Sequence, residues 1–217
     1  IGNVIELSMS STTNYLWTLP MFHCNGWTGP WAVTAAGGTH VCLRQVRADE
    51  IFRLISEEEV TNMCCAPTVL TAMYTSKDAE GQDLSKLTIM VGGAPPAPIV
   101  IRIIEEMGAN IIHGYGLTET YALFTLCKYL PSWESIETKQ LEKMRARQGI
   151  PFIPAGNKLR VVDENMNDVP KDGNHMGEVV MQGNTVMMGY LNDKEETDIA
   201  FKGGWFHSGD LAVWYSD

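Results

Sequence analysis

Between Tyr15 and Leu126 short β-rich runs alternate with helical patterns, and this alternation restricts the possible folds more than any other feature. Strands are read at 15–19, 39–43, 61–66, 87–91 and 110–113. Helices are read at 26–36, around Ile51, Leu54 and Ile55 with Asp49 as N-cap, from Pro67 or Thr68, and at 98–107. Gly108 follows the last of these as a residue suited to the left-handed position past a helix end. Strands alternating with helices predict an α/β fold, a mostly parallel sheet with helices on both faces. Ligands in such sheets bind outside the carboxyl ends of the strands.

Beyond 130 the pattern changes. A Pro-led loop, a polar helix at 140–147 and then Pro151 and Pro154 read as a connector. Strands at 159–162 and 178–181, separated by a turn-rich stretch, predict part of a small antiparallel β subdomain. The expected organisation is an α/β subdomain over 1–130, a connector over 131–156 and a β-rich subdomain over 157–217.

Composition narrows the partners. The 217 residues are 45% hydrophobic and 19% charged, enough to bury a core. Lys and Arg total 16 against 26 Asp and Glu, for a net charge of −10. So acidic a surface repels phosphate backbones and anionic lipid, which argues against nucleic acid and membrane surfaces as partners. A nucleotide remains possible, because backbone amides can build a local phosphate site. The cysteines, Cys24, Cys42, Cys64, Cys65 and Cys127, are odd in number and lack CxxC spacing, which reads as reduced thiols in a cytoplasmic protein. Cys64 and Cys65 read as core strand residues rather than a metal or redox pair. The longest apolar stretch, 87–104, is interrupted by Gly92, Gly93, Pro95, Pro96 and Pro98, so no membrane helix of about 20 apolar residues is expected.

Two Gly-rich segments follow strands. Gly92-Gly93-Ala94-Pro95-Pro96 lets backbone approach a flat ligand with no Cβ in the way. His113-Gly114-Tyr115-Gly116-Leu117-Thr118-Glu119-Thr120 is read as a second turn with exposed amides. It adds a hydroxyl at Thr118, a hard carboxylate at Glu119 and a ring at Tyr115. Spacing alone leaves open two tight turns with no ligand.

The segment Gly114–Thr120 resembles the YGxTE motif of the adenylate-forming superfamily, which includes acyl-CoA synthetases, luciferases and peptide-synthetase adenylation domains. Further segments resemble the family's motifs in order: Leu19-Pro20-Met21-Phe22-His23, Gly92-Gly93-Ala94-Pro95, Gly177-Glu178 through Gly183 to Gly189-Tyr190, and Trp205-Phe206-His207-Ser208-Gly209-Asp210. The resemblance implies that Gly93, Ala94 and Pro95 line one face of adenine, with Gly114, Tyr115 and Gly116 on the other. It implies Thr118 on the α-phosphate, Glu119 on Mg²⁺, Asp210 on the ribose hydroxyls and His23 beside the acyl carboxylate. His40, His175 and His207 are read as structural.

The implied activity is that of an acid–CoA ligase: ATP and a carboxylic acid give an acyl-adenylate, and coenzyme A then displaces AMP. The family's phosphate loop ending in Pro-Lys, its later ribose-binding arginine and its adenylation lysine have no counterpart in these residues, so turnover by residues 1–217 alone is not expected. Met144-Arg145-Ala146-Arg147-Gln148-Gly149 and Phe22-His23 with Asn25-Gly26-Trp27 are similar to fatty-acid ligases, and Trp27 is expected to shorten the acyl pocket. The acid is therefore read as short- or medium-chain, or aromatic. An amino- or aryl-acid adenylation domain and a non-catalytic nucleotide-binding module are the alternatives. A Rossmann dinucleotide protein is disfavoured, because no G-x-G-x-x-G opens a helix after the first strand.

Overall fold

In a computed structural model, residues 1–152 and 156–216 are described; Pro154 and Asp217 lie outside them. The large sheet contains β1 (Asn14–Trp17), β2 (Thr39–Cys42), β3 (Asn62–Cys65), β4 (Thr88–Val91), β5 (Asn110–Leu117), β6 (Ala122–Cys127) and β7 (Ile150–Pro151). Its order is β2-β1-β3-β4-β5-β6-β7; the first five strands run parallel, and β6 runs against them, pairing antiparallel with both β5 and β7.

Period-two alternation divides the core between the two faces of this sheet. Leu16, Met63, Cys65, Ile89, Val91 and Ile111 face one side. There they meet the apolar stripes of α4 (Ala48–Glu57), α5 (Pro67–Thr75) and α6 (Pro98–Glu106). Tyr15, Trp17, Cys64, Met90 and Ile112 face the other side, against α1 (Gly2–Glu6) and α3 (Gly29–Ala36). The mostly parallel sheet with helices on both faces is as expected. All four residues of β3 are buried, and burial pushes the Cys64 thiol up to about 12, leaving it an inert core residue.

Local chemistry explains the helix ends. Pro67 and Pro98 open α5 and α6, where a missing N–H costs nothing. Gly108 carries φ +104 after α6, and a Cβ there would lie 2.9 Å from the Ser85 nitrogen. Asp49 is not the N-cap of α4. Arg47 occupies that position, and Asp49 sits in the first turn, where its charge suits the helix dipole and pairs with Arg47.

Two elements differ from the sequence reading for physical reasons. β5 does not end at His113. It runs on through Gly114, Tyr115 and Gly116 to Leu117, pairing antiparallel with β6. Gly116 makes this possible, since a Cβ there would lie 1.6 Å from the Ala122 carbonyl oxygen. β6 escapes periodicity because all six of its residues are buried, which erases the alternation.

The stretch read as a connector carries α7 (Thr138–Arg145) and then β7. Arg145, 4% exposed, fastens α7 to the sheet by pairing with Glu105 and donating 2.6 Å to the Ile111 carbonyl. The second sheet is antiparallel, in the order β10-β9-β8, from β8 (Lys158–Val162), β9 (Gly177–Gln182) and β10 (Phe206–Ala212). A helix not foreseen from sequence, α8 (Lys194–Ala200), is opened by Asp193, which accepts a hydrogen bond from the Glu196 amide at 3.0 Å. Phe124 of β6 fills the second sheet's core among Val179, Met181, Ala200 and Phe206. Among the described residues no helix is long and apolar enough to cross a membrane.

Candidate active site

The carboxyl ends of β1, β4 and β5 open onto a cavity of about 200 Å³. His23, Cys24, Trp27, Gly93, Gly114, Gly116 and Thr118 line it, with Leu117, Ala122 and Leu123. It thus unites the segment after β1 with both Gly-rich segments.

The turn that carries Trp27 is unusual. Cys24, Asn25, Gly26, Trp27 and Thr28 take φ of 42, 48, 60, 51 and 62°, so α2 (Cys24–Trp27) is a left-handed turn. Such backbone costs roughly 1–2 kcal/mol per residue for anything but glycine, and strain of this kind gathers at ligand sites. Sequence reading placed a right-handed helix from 26; only Asn25-Gly26 hinted otherwise. Gly26 packs on Trp17, where a Cβ would meet the indole at 2.8 Å. The Trp27 ring, in turn, packs on Gly92, where a Cβ would lie 3.1 Å from the indole and 2.7 Å from the Gly114 oxygen. Glycine at 92 therefore lets the indole close this end of the cavity.

Residues Thr118–Thr120 form a 3₁₀ turn between β5 and β6. The buried Thr120 hydroxyl holds it, accepting from the Leu117 amide at 3.0 Å. Thr118 is exposed at the cavity, its Oγ1 3.3 Å from Cys24 Sγ. Glu119 is held from the second sheet's side: Tyr190 donates its hydroxyl to Oε1 at 3.2 Å, and the Met187 amide donates to the Glu119 carbonyl at 2.7 Å. Nothing in the sequence assigns Tyr190 this role; only its place in the Gly189-Tyr190 pair marks it.

Alternation along β5 sends Gly114 and Gly116 to the cavity and Tyr115 towards the second sheet's core. There the phenol donates to Asp210 Oδ2 at 2.7 Å. Burial, and then the neighbouring carboxylate, raises this phenol well above its ordinary value. Ala94 and Pro95 are exposed on the loop after β4 and do not line the cavity. A second, more apolar cavity of about 190 Å³ lies beside the first and shares Leu123 with it; Thr28, Trp31, Ala32 and Tyr121 are among its walls.

The remaining histidines are occupied. His40 accepts from Trp17 Nε1 at 3.0 Å, so its Nε2 carries the proton that reaches Thr34 Oγ1 at 3.1 Å. His175 pairs with Asp172 at 2.7 Å and His207 with Glu178 at 2.8 Å. Among the described residues no group of three or more His, Cys, Asp or Glu could hold a metal ion. A single carboxylate, Glu119 beside the Thr118 hydroxyl, nevertheless fits Mg²⁺, which is commonly held by one or two carboxylates with phosphate and water completing the shell.

The chain is 41% identical over 218 residues to 4-hydroxybutyrate–CoA ligase 2 of Metallosphaera sedula, covering 100% of this chain and 39% of that protein. It is 45% identical over 206 residues to acetate–CoA ligase CCL3 of Humulus lupulus, covering 94% and 36% respectively. The chain thus spans well under half the length of these relatives. Its fold is that of the o-succinylbenzoate CoA synthetase of Bacillus subtilis, solved with an acyl-adenylate intermediate, at a TM-score of 0.83 and 21% identity over 99% of this chain and 41% of that one. Residues 2–191 match the AMP-binding enzyme family, and the chain belongs to that family.

Proposed function

We propose that this chain supplies the acyl- and adenylate-binding part of an acid–CoA ligase, which activates a short- or medium-chain or aromatic carboxylic acid with ATP and transfers it to coenzyme A. The observation that carries this reading is the bond from Tyr115 to Asp210. It draws the proposed ribose carboxylate to β5, whose glycines open the cavity and whose end presents Thr118 and Glu119.

To each residue we assign a task. Gly93, and Gly114 with Gly116 across from it, flank the base, with Ala94 and Pro95 on the loop beyond the cavity. Tyr115 contributes less as a stacking ring than as the donor that steadies Asp210. Asp210 accepts from the ribose hydroxyls, for which a fixed carboxylate is suited. Thr118 donates to the α-phosphate, and His23, at the cavity rim, orients the acid's carboxylate for attack on the α-phosphorus. Glu119 would hold Mg²⁺, which when bound offsets phosphate charge. The chain's share of catalysis is therefore positioning of anions in a partly enclosed space. Trp27 supports a small acid, since its buried indole closes one end of the cavity. The relatives' names point the same way. A cytoplasmic location fits the five free thiols, although a relative in Arabidopsis thaliana is named as peroxisomal.

The test is ATP–pyrophosphate exchange across a panel of acids by a protein that carries this chain within the relatives' full length. Acid-dependent exchange favouring short acids is expected. Exchange with amino acids only would turn the reading to an adenylation domain, and AMP binding with no exchange to a nucleotide-binding module.

A further inference from the structure

We propose that Glu178 and His207 are positioning residues for Asp210, holding the bulged start of β10 so that its carboxylate faces the nucleotide ribose; this rests on the ribose reading of Asp210 above. The β9–β10 ladder pairs Phe206 with Met181 and His207 with Val180, then resumes with Leu211 opposite Glu178. Ser208, Gly209 and Asp210 therefore stand against Val179 alone, and a bulge of that size leaves backbone groups without ladder partners.

Glu178 answers for one of them and for the neighbouring His207 ring. Its Oε1 accepts from the Gly209 amide at 3.0 Å, and its Oε2 accepts from His207 Nδ1 at 2.8 Å. The other ring nitrogen, Nε2, donates to the Lys202 carbonyl at 3.0 Å, because a carbonyl oxygen can only accept. Ser208 completes the set, donating to the Val179 carbonyl at 2.7 Å and accepting from the Asp210 amide at 3.1 Å. Gly209 has φ +74 with nothing within 4 Å of a Cβ, so glycine is required there by the backbone turn and not by crowding.

The Glu178 and His207 side chains are 30% and 19% exposed, covered enough for their bonds to escape much of the screening that weakens surface pairs. With the backbone of the bulge tied down, the Asp210 carboxylate is the group left facing outwards, met by the Tyr115 hydroxyl. The pair thus acts on ligand only through Asp210.

Calorimetric titration of the chain with AMP, 2′-deoxyAMP, 3′-deoxyAMP and adenine tests this, with Glu178→Gln, His207→Leu and His207→Asn run beside the parent. The parent should prefer AMP to both deoxy forms. Glu178→Gln and His207→Leu should lose that preference by roughly tenfold, the loss expected when hydrogen bonds to a charged group are disordered. Affinity for adenine should be unchanged, and His207→Asn, whose amide can replace Nδ1, should regain part of the preference. Folded variants that discriminate as the parent does overturn the proposal. A parent that binds AMP without ribose preference, or does not bind it, overturns the reading of Asp210 and this proposal with it. Should His207→Leu fail to fold, the isosteric Glu178→Gln carries the test.

Discussion

The phenol of Tyr115 and the carboxylate of Asp210 meet at 2.7 Å although 95 residues separate them in sequence. One belongs to the large sheet and the other to the small one, so this bond joins the two at the proposed nucleotide site. Tyr115→Phe should lower AMP affinity about three- to tenfold, the range for one lost hydrogen bond of about 1 kcal/mol, while leaving the melting temperature nearly unchanged. Calorimetry and thermal melts measure both. An unaltered affinity would remove Tyr115 from the site.

Glu119 and Tyr190 should behave unequally. In exchange assays on the full-length context, Glu119→Gln should cost two to three orders of magnitude, as loss of a preorganised charged group does. Tyr190→Phe keeps the carboxylate and loses only its 3.2 Å donor, so a fall of roughly three- to tenfold with weaker Mg²⁺ dependence is expected. Equal effects would mean that Glu119 acts mainly by holding the 3₁₀ turn.

Trp27 is 6% exposed and packs on Gly92. Trp27→Ala should shift acid preference towards longer or bulkier chains and cost about 3–5 kcal/mol of stability. A graded panel of acids reads the shift. An unchanged ranking with uniformly lower rates would make the indole core packing only.

Tyr15 gives a pH prediction. Its hydroxyl is buried beside the Cys64 thiol, and burial, with that thiol, raises the phenol well above its ordinary value. Below about pH 10 the phenol is protonated both folded and unfolded. As pH rises past that point only the unfolded chain ionises, so stability falls. Tyr15→Phe should reduce this alkaline loss and be near neutral or stabilising at pH 7, because a thiol is a weak partner for the buried hydroxyl it removes. Melting curves between pH 7 and 11 check it. A loss of more than about 1 kcal/mol at pH 7 would reveal a stronger partner for the hydroxyl.

The parallel strands and the helices between them were legible because their apolar residues repeat at the right periods and Pro67, Pro98 and Gly108 punctuate them. The candidate site residues come from motifs, and of these His23, Trp27, Gly93, Gly114, Gly116 and Thr118 share one cavity. What stayed hidden depends on contacts between distant segments. Gly114 and Gly116 look like turn residues, and only pairing with β6 makes them strand. His207, read as structural, bonds to Glu178 across 29 residues of sequence, a pairing no local pattern announces. The left-handed run from Cys24 to Thr28 has one glycine among its five residues, so local propensity argued against it.

Adjacent residues of β6 face opposite ways: Leu123 borders both cavities, while Phe124 fills the heart of the second sheet. A tilt of the small sheet must drag Phe124, and through one peptide bond it must move a wall common to both cavities. Heat should therefore take the two sheets apart in one cooperative transition. A ligand seated on Asp210 as proposed, at one end of this lever, should be felt as a change of shape beside Leu123 at the other.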